Sequence, residues 1–406
     1  MISFQEALQS ILSTPLPLVG DEKINFTNSL DRILSTDIYA QENIPLAPLS
    51  SMDGYAFNYE DLEILKTQGL EILQDNPAGS ELSICKKGCA IKTFTGALMP
   101  KMTDTIVLIE ECQVQNQRIF LHQDIHLQKG AWVRPVGSNY QSGEKLLQQG
   151  LKISPYEIGL LAELNCNFIS VKQKPKVGIL VSGSEIIEVG EKREHNGQVR
   201  SVNNHLLKAM VEKSGGQAIV YETLQDDKDT LLKTFTKMLN ECDLIVTTGG
   251  MSKGDYDFTQ DVILEHSDVI FKGVRIKPGK PVLFALSKSS KKPILGLAGN
   301  PNAAAITFYL FGGLLLKRMT KQKAELKILK AYLKEEMTKN DQRLEFRSVK
   351  LEVLEGKYYV SSLCKNNQSA IINNLCEDRA LVIFDAEKKI LAKDTEVDII
   401  LLKEFE

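Results

Sequence analysis

The residues of this chain best suited to chemistry lie in a loop at residues 247–257, TTGGMSKGDYD. It combines three small hydroxyl residues and three glycines with two carboxylates, one of them Asp257. Glycines allow a phosphate group to approach backbone N–H groups, and hydroxyl groups donate hydrogen bonds to phosphate oxygens. A carboxylate such as Asp257 can hold Mg²⁺ or help to hold a ligand. The loop therefore predicts binding of a phosphorylated ligand, with a metal as a further candidate.

Three further loops favour anions to different degrees. Residues 182–185, SGSE, place small hydroxyl groups and a glycine before a carboxylate, and taken alone they fit an ordinary turn equally well. Residues 275–281, RIKPGKP, supply three cations within six residues, although a solvated basic loop explains them better if nothing else is considered. Residues 297–302, LAGNPN, lead from a predicted strand into a predicted helix, whose free N–H groups and dipole attract anions. Together the loops predict a large phosphorylated ligand, and a generic nucleotide-binding enzyme fits them as well.

A carboxylate of a different kind lies nearer the amino terminus, in residues 51–56, SMDGYA. Asp53 follows a PLAP sequence whose last proline, Pro48, fixes its own φ and biases the preceding residue toward an extended backbone. Gly54 tolerates φ values that other residues adopt only at a cost. The pattern predicts an abrupt turn that presents Asp53, although Asp-Gly alone is more typical of an ordinary surface turn.

These loops need a scaffold, and 406 residues exceed what one hydrophobic core usually serves. Between residues 175 and 326, short apolar runs alternate with helical patterns, which is typical of a mostly parallel α/β sheet. In such sheets ligands bind beyond the carboxyl ends of the strands. The loops after the predicted strands 176–181, 243–247 and 293–297 are therefore expected to form one site. Residues 303–316 predict a long apolar helix.

The rest of the chain predicts three more domains. Residues 1–41 and 141–174 predict a discontinuous N-terminal and linker domain of helical and extended segments. Within it, apolar spacing predicts one helix from Phe4 to Ile11, a second around Leu30, Ile33 and Leu34, and a third that starts at Ser154. Residues 42–140 predict a β-rich domain, and residues 327–406 a small β-barrel or sandwich.

Composition excludes several classes of function. With 49 basic and 52 acidic residues the net charge is only −3, which argues against a nucleic-acid partner. The amino terminus has no signal-peptide pattern and no apolar run approaches about 20 residues, so we expect a cytoplasmic protein without a membrane partner. Seven scattered cysteines without a Cys-x-x-Cys pair predict reduced thiols rather than a zinc or redox site.

The motifs, taken in order, resemble those of the MoeA family of molybdopterin molybdenumtransferases, which includes the E domain of gephyrin. The resemblance extends over nearly the whole chain. It rests on the segments 51–56, 94–100, 104–107, 133–139, 178–185, 248–254, 277–281, 299–301, 343–346 and 367–370. The resemblance implies a transferase that binds adenylylated molybdopterin, inserts molybdate at the dithiolene and releases AMP. It also implies a multidomain α/β plus β fold, with a MogA-like central α/β domain, a β-rich second domain, a linker domain and a C-terminal barrel.

The resemblance further implies an elongated homodimer, in which Asp53 and Thr95 of one subunit face Glu185 and Asp257 of the other. These four are the candidate catalytic residues. Glu185, Asp226 or its neighbour Asp227, and Asp257 form the candidate Mg²⁺ site. The remaining candidate ligand-binding residues are Ser182, Gly183, Asp226, Gly249, Gly250, Ser252, Lys277, Lys280, Asn300, Pro301, Arg343 and Ser369. Candidate partners are the molybdopterin adenylyltransferase and acceptor molybdoenzymes.

The chain departs from the family pattern at several site positions, and two other functions compete. Ser138, Asn139 and Ser184 stand where the family usually has acids, and Lys253 and Ala298 replace a small apolar residue and a proline. These changes lower the negative charge of the site and put its dependence on a metal in doubt. An adenylyltransferase resembles only the α/β domain. A non-catalytic, dimeric molybdopterin-binding scaffold is the other alternative, and the sequence does not distinguish molybdate from tungstate.

Overall fold

The computed structural model describes residues 1–221, 228–249, 258–362, 372–377 and 379–402. The chain forms two compact units. Unit 1 comprises Met1–Thr36, Gly150–Gly159 and Asn167–Glu406, and unit 2 comprises Asp37–Gln149 and Leu160–Cys166. The finer division into four domains stays a prediction. Among the described helices, none combines the length and the apolar character needed to cross a membrane.

A six-stranded, mostly parallel sheet forms the centre of unit 1. Its strands lie in the order Gln217–Val220, Lys176–Val181, Leu244–Thr248, Pro293–Leu297, Leu283–Ser287 and Ser267–Lys272. The first four strands are parallel, and the last two are added antiparallel. The predicted α/β domain is confirmed. The carboxyl ends of its central strands therefore meet at one edge.

Helices cover both faces of this sheet. Because successive side chains of a strand point to opposite faces, Ile179 and Val246 are buried in one core while Leu180 and Ile245 are buried in another. The helices are Asn203–Lys213, Lys228–Glu241, Phe258–His266, Pro301–Thr307 and Gly313–Met319. The last two are joined by one π-helical turn, Phe308–Gly312. Hence the apolar helix predicted at residues 303–316 is longer than expected and has a wide turn in its middle.

The amino-terminal segment contains only the first of its two predicted helices. Phe4–Ser13 begins with a capping box, in which the Glu6 N–H donates to the Ser3 hydroxyl at 3.2 Å and the Ser3 N–H donates to the Glu6 carboxylate at 2.7 Å. The second helix, expected around Ile33 and Leu34, is wrong. Both residues form β-bridges to later segments of unit 1 and are buried there, so their apolar character serves bridge packing rather than a helical face.

The C-terminal part of unit 1 is a closed barrel, as predicted. Five strands close the ring, in the order Leu344–Leu354, Lys357–Ser361, Ile328–Leu333, Glu396–Leu401 and Ala380–Phe384, because the last strand pairs again with the first. A sixth, short strand, Ile276–Lys277, runs parallel to the start of Leu344–Leu354. Its pairing was not expected from the sequence, which placed these residues in a loop of the α/β domain.

Unit 2 is built on a second six-stranded sheet, which confirms the β-rich character predicted for this part of the chain. Its strands lie in the order Thr105–Leu108, Gly54–Phe57, Cys89–Thr93, Leu70–Asn76, Arg118–Leu121 and Cys112–Gln115. The helix Leu62–Thr67 packs its buried Leu65 into the core of this sheet together with Phe57 and Ile119.

Shorter elements complete the described chain. Two-residue to five-residue strands pair as Asp21–Asn25 with Phe168–Lys172, Ile38–Tyr39 with Lys145–Leu147, Leu49–Ser50 with Val133–Arg134, Ile186–Ile187 with Val199–Arg200, and Met337–Thr338 with Ile390–Leu391. The 3₁₀ turns are Phe26–Asn28, Tyr59–Asp61 and Ile109–Glu111, and the remaining helices are Pro155–Glu163 and Asn373–Glu377. The helix predicted from Ser154 is thus confirmed, with Pro155 at its first position.

Candidate active site

Three of the predicted loops lie side by side at the edge of the sheet in unit 1. The strand register pairs Val181 with Thr248 and Thr248 with Leu297, so the residues that follow these strands are neighbours. Gly249 has φ 86°, and a Cβ there would lie 2.2 Å from the Ser182 carbonyl oxygen. Only glycine allows this approach. The prediction that the loops after these strands form one site is supported by their register.

Asn203 ties two of these loops together. Its side-chain Nδ2 donates to the Thr248 hydroxyl at 2.9 Å and to the Gly299 carbonyl oxygen at 2.7 Å. The Thr248 hydroxyl in turn donates to the Ala298 carbonyl oxygen at 3.0 Å. Asn203 is 6% exposed, and its Oδ1 atom is buried without a hydrogen-bond partner in the described part of the chain. Buried polar atoms are normally paired, so an acceptor left over at this edge suits a ligand or a water molecule.

The first loop presents its carboxylate to solvent. Ser182 is buried and its hydroxyl accepts a hydrogen bond from the Thr259 hydroxyl at 3.0 Å. A Cβ on Gly183 would lie 2.8 Å from the Glu185 carboxylate, so the missing side chain makes room for that carboxylate. Glu185 itself is exposed, and its backbone carbonyl accepts from the Val199 N–H at 2.9 Å. Ser182 therefore supports the loop, whereas Glu185 is available to a ligand or metal.

Metal binding rests on a donor set that is only partly described. Glu185 offers carboxylate oxygens, which suit Mg²⁺. Asp226 and Asp257, the other predicted ligands, lie outside the described residues, as do Asp227, Gly250, Ser252 and Ser369. Within the described ranges, no group of three or more His, Cys, Asp or Glu residues could hold a metal ion.

The basic loop is fixed by the barrel and by the helix behind it. Gly279 has φ 93°, and a Cβ there would lie 2.1 Å from the Thr307 methyl group. Lys280 is exposed. Lys277 is partly exposed, and its Nζ lies 3.4 Å from a carboxylate oxygen of the buried Glu345. The two predicted cations therefore differ, since Lys277 has a buried anionic partner beneath it.

Arg343, a predicted ligand-binding residue, is held in place by the chain itself. Its guanidinium group binds both carboxylate oxygens of Asp341 and donates to the Ile276 carbonyl oxygen at 3.2 Å. This hydrogen-bonded guanidinium group holds the pKa of the Asp341 carboxyl well below its usual range, and the carboxylate raises the pKa of Arg343. Part of the charge of Arg343 is therefore balanced before any ligand binds.

The third loop leads into a helix as predicted. Asn300 is the N-cap of Pro301–Thr307, with its carbonyl accepting from the Ala304 N–H at 2.9 Å and with Pro301 at the first helical position. Asn300 is exposed. The preceding residue, Gly299, lies close to Gly249, because a Cβ added to Gly299 would be 3.6 Å from the Gly249 Cα atom. Asn300 therefore lies at the same edge of the sheet as Gly249.

Unit 2 joins Asp53 to Thr95. Asp53 precedes the strand Gly54–Phe57, Thr95 follows the strand Cys89–Thr93, and these strands pair antiparallel with Gly54 opposite Thr93. The Asp53 carboxylate accepts from the Thr95 N–H at 2.8 Å and from the Thr95 hydroxyl at 2.7 Å. Both residues are exposed, and the two hydrogen bonds hold the pKa of Asp53 below its ordinary value. The sequence prediction of a presented carboxylate agrees with this geometry.

The reason for Gly54 differs from the one inferred from the sequence. Gly54 does not have a positive φ. Instead, a Cβ at this position would lie 2.3 Å from the Val107 carbonyl oxygen and 2.6 Å from an Ile106 methyl group. The glycine is therefore required by close approach of a neighbouring strand, and not by an unusual turn.

Sequence reasoning missed Asn203, Asp341 and Glu345 as parts of the site. Two of these carried a signal that could have been used. Asp341, Arg343, Glu345 and Arg347 alternate in charge at every second residue, which in a strand places all four side chains on one face. Asn203 carried no comparable signal, because its partners come from loops distant in the sequence.

The fold defines a class of protein, a multidomain α/β plus β protein in which glycine-containing loops meet at the carboxyl edge of a mostly parallel sheet. Comparison with known proteins identifies the family. Residues 2–165 match the model of the MoeA N-terminal region (domain I and II), and residues 178–318 match a model described as a probable molybdopterin binding domain. The chain is 30% identical over 326 residues to the molybdopterin molybdenumtransferase of Haemophilus influenzae, covering 80% of this chain and 79% of that protein.

Two further similarities extend over most of the chain. A molybdopterin molybdenumtransferase of Nostoc sp. is 28% identical, over 91% of this chain and 86% of that protein. The crystal structure of the molybdopterin biosynthesis moeA protein from Pyrococcus horikoshii OT3 superposes with a TM-score of 0.83 at 26% identity, covering 99% of this chain and 100% of that one. This chain belongs to the MoeA family of molybdopterin molybdenumtransferases.

Proposed function

We propose that the protein binds adenylylated molybdopterin at the edge of the sheet in unit 1, breaks its adenylyl link and releases AMP as molybdate enters the dithiolene. It is a molybdopterin molybdenumtransferase, an enzyme of molybdenum cofactor biosynthesis. The observation that supports the location of the site is the register of Val181, Thr248 and Leu297, which brings the glycine-rich loops together.

Cationic and amide groups bind the anionic parts of the substrates in this proposal. Lys277 and Lys280 carry ammonium groups on one short loop, and both side chains reach solvent. Ammonium groups suit phosphate and molybdate oxygens as point charges, whereas the planar guanidinium of Arg343 suits two oxygens at once. Several N–H donors of the Arg343 guanidinium group already bind Asp341. We therefore propose that Arg343 contributes less to the affinity for the ligand than Lys277 or Lys280 does.

Asp53 orients molybdate or an attacking water molecule. Its carboxylate is exposed and held by Thr95. An aspartate carboxylate is ionised at neutral pH, and those hydrogen bonds lower the pKa of Asp53 further. Attack by a water molecule at the phosphorus of the molybdopterin phosphate forms one new P–O bond and breaks the phosphoanhydride bond, so AMP departs with the bridging oxygen and the bonding electron pair, and the proton of the water passes to solvent. Mg²⁺ held by Glu185 with Asp226 and Asp257 would stabilise the charge on departing AMP.

The decisive experiment measures AMP release from adenylylated molybdopterin, with and without molybdate, followed by reconstitution of an apo-molybdoenzyme. Molybdate-dependent AMP release with active reconstituted enzyme is expected. Tight binding without turnover would instead identify a scaffold, and adenylylation of molybdopterin by ATP would identify an adenylyltransferase. Omission of Mg²⁺, and titration of Mg²⁺ into Glu185→Gln, test the metal separately, because that variant should need more Mg²⁺ for half-maximal rate.

We further propose a homodimer in which Asp53 and Thr95 of each subunit serve the site that contains Glu185 of the other. Complementation tests this arrangement. Mixing refolded Asp53→Ala and Glu185→Ala subunits, each inactive alone, should restore about a quarter of wild-type activity, since half of randomly paired dimers are mixed and each holds one intact site. No recovery, with mixed dimers verified by differently tagged subunits, would place both residues in a site of one subunit.

A further inference from the structure

The basic loop, residues 275–281, packs against the C-terminal barrel. The short strand Ile276–Lys277 pairs in parallel with the start of Leu344–Leu354, and this register sets Lys277 opposite Glu345. The Lys277 Nζ lies 3.4 Å from Glu345 Oε2. The side chain of Lys277 is 35% exposed, whereas that of Glu345 is only 3% exposed. The pair therefore joins a buried carboxylate to an ammonium group that reaches solvent.

The second oxygen of the same carboxylate is also occupied. Arg347 Nε donates to Glu345 Oε1 at 2.8 Å, and its terminal nitrogen donates to the Thr338 carbonyl oxygen at 2.9 Å. The guanidinium carbon of Arg347 lies 5.2 Å from the centre of the Phe384 ring. With one cation on each oxygen, the Glu345 carboxylate has a fixed orientation, and it is buried away from any ligand at the exposed end of Lys277.

The charged side chains around Lys277 and Glu345 have a net positive charge. Lys339, which is buried, donates to the carbonyl oxygens of Arg343 at 2.7 Å and of Phe384 at 3.2 Å. Among the described residues, the hydrogen-bonded side chains thus comprise four cations and two carboxylates, Asp341 and Glu345, and the carboxylate of Asp385 lies near Lys339 as a third anion. Pairing with Glu345 therefore orders Lys277 without cancelling the positive charge that an anion needs.

We propose that Glu345 is a positioning residue for anion binding, acting by holding the Lys277 ammonium group in place. This inference rests on the proposed function of Lys277. A lysine side chain has several freely rotating bonds, and binding an anion normally costs the entropy of fixing them. Because Glu345 restricts that motion beforehand, the loop binds the anion with less loss of entropy. Glu345, a residue of the C-terminal barrel, thereby contributes to substrate binding without itself touching the substrate.

Steady-state AMP release at varied molybdate concentration tests the inference. Glu345→Gln keeps the shape of the side chain and should raise the KM for molybdate about tenfold while changing kcat less than about twofold, the signature of lost binding. Glu345→Asp keeps the charge on a shorter side chain, and its KM for molybdate should lie between those of the wild type and Glu345→Gln. Glu352→Gln, on the same strand but exposed and paired with Lys334, is the control and should match wild type.

A double-mutant cycle separates positioning from general damage to the barrel. In a Lys277→Met background, Glu345→Gln should have no further effect on the molybdate KM, because the group it positions is gone. The inference would be overturned if the two substitutions together raised the molybdate KM by the product of their separate effects, or if Glu345→Gln alone had a wild-type KM. A normal KM in Lys277→Met alone would instead overturn the proposed binding role of Lys277. If Glu345→Gln proves unstable in thermal unfolding, Glu345→Asp completes the cycle with the same expected and contrary outcomes.

Discussion

The Asp53 carboxylate accepts two hydrogen bonds from one residue, Thr95, through its backbone N–H at 2.8 Å and its hydroxyl at 2.7 Å. The neighbouring backbone keeps the two residues together. Ser50 donates to the Ala97 carbonyl oxygen at 2.9 Å, and the Ser50 carbonyl accepts from the Gly96 N–H at 2.9 Å. An exposed carboxylate is thus given a fixed direction by the pairing of two loops, which is the preorganisation that a reacting group needs.

Thr95→Val should lower kcat about tenfold, because one of the two hydrogen bonds to the charged carboxylate is lost. The pH dependence should change as well. Hydrogen bonds from Thr95 lower the pKa of Asp53, so losing one raises that pKa and moves the acid limb of the kcat profile to higher pH. A pH profile of AMP release checks both effects.

The control for Thr95 is Thr67→Val, which removes another exposed hydroxyl whose partner is a backbone carbonyl oxygen, that of Glu63 at 2.6 Å. It should leave the profile unchanged. Asp53→Asn should lower kcat at least about 100-fold at all pH values without altering the fold. An unshifted acid limb in Thr95→Val would show that Asp53 is not the group titrating there.

Asn203→Ala should weaken ligand binding at least about tenfold and lower the free energy of unfolding by about 1–3 kcal/mol. Both effects have the same origin, since the two donors of Asn203 hold the ends of two loops through Thr248 and Gly299. Urea unfolding and molybdopterin binding by the purified variant measure the two effects.

A matched control lies at the next position. Asn204 is equally buried, at 6% exposure, but its Nδ2 donates to the Glu188 carboxylate at 3.0 Å rather than to the loops of the site. Asn204→Ala should therefore cost similar stability without weakening molybdopterin binding. Equal losses of affinity in the two variants would mean that the helix as a whole, and not the contacts of Asn203, decides binding.

Gly249→Ala should destabilise the protein by at least about 3 kcal/mol and abolish ligand binding, because the added methyl group meets the Ser182 carbonyl oxygen at 2.2 Å. Gly190→Ala is the control. Gly190 also has a positive φ, 97°, but nothing lies within 4 Å of an added Cβ. It should cost only about 1–2 kcal/mol of backbone strain. Similar urea midpoints for the two variants would show that the left-handed backbone, rather than the close approach, sets the cost.

The alternation of strand and helix in residues 175–326 was sufficient to predict the sheet and its ligand edge, because hydrophobic patterning and the topology of parallel sheets are general constraints. The false second helix shows the limit of such patterning. Ile33 and Leu34 have helical spacing, yet both are buried through bridges to segments more than 100 residues away, to Lys152 and Val171, and local spacing carries no information on those partners.

The residues of the site also fall into two groups, those that the local sequence identified and those that depend on tertiary contacts. Gly249 and Asp53 could be singled out because their chemistry is local, whereas the support for Lys277 comes from pairing with the barrel strand Leu344–Leu354, which lies far away in the sequence. Gly54 was selected for a reason that proved wrong, since a close approach by Ile106 and Val107 is a tertiary contact and leaves no local trace. Residue types in the sequence could therefore identify candidate ligand-binding residues. The residues that hold those side chains in place could be identified only from the three-dimensional structure.

Asp341→Asn should destabilise the protein at neutral pH, with an effect that disappears in acid. The Arg343 hydrogen bonds hold the folded pKa of Asp341 well below the unfolded value of about 3.9. A carboxyl with a lowered folded pKa contributes stability that is complete above the unfolded pKa and is lost as the pH falls toward the folded pKa. Thermal unfolding between pH 7 and pH 3 should therefore show the Tm gap between wild type and Asp341→Asn narrowing below about pH 4. Arg343→Met should show the same pH dependence, because it removes the cation that lowers the pKa, and a gap constant over the whole range would rule out this linkage.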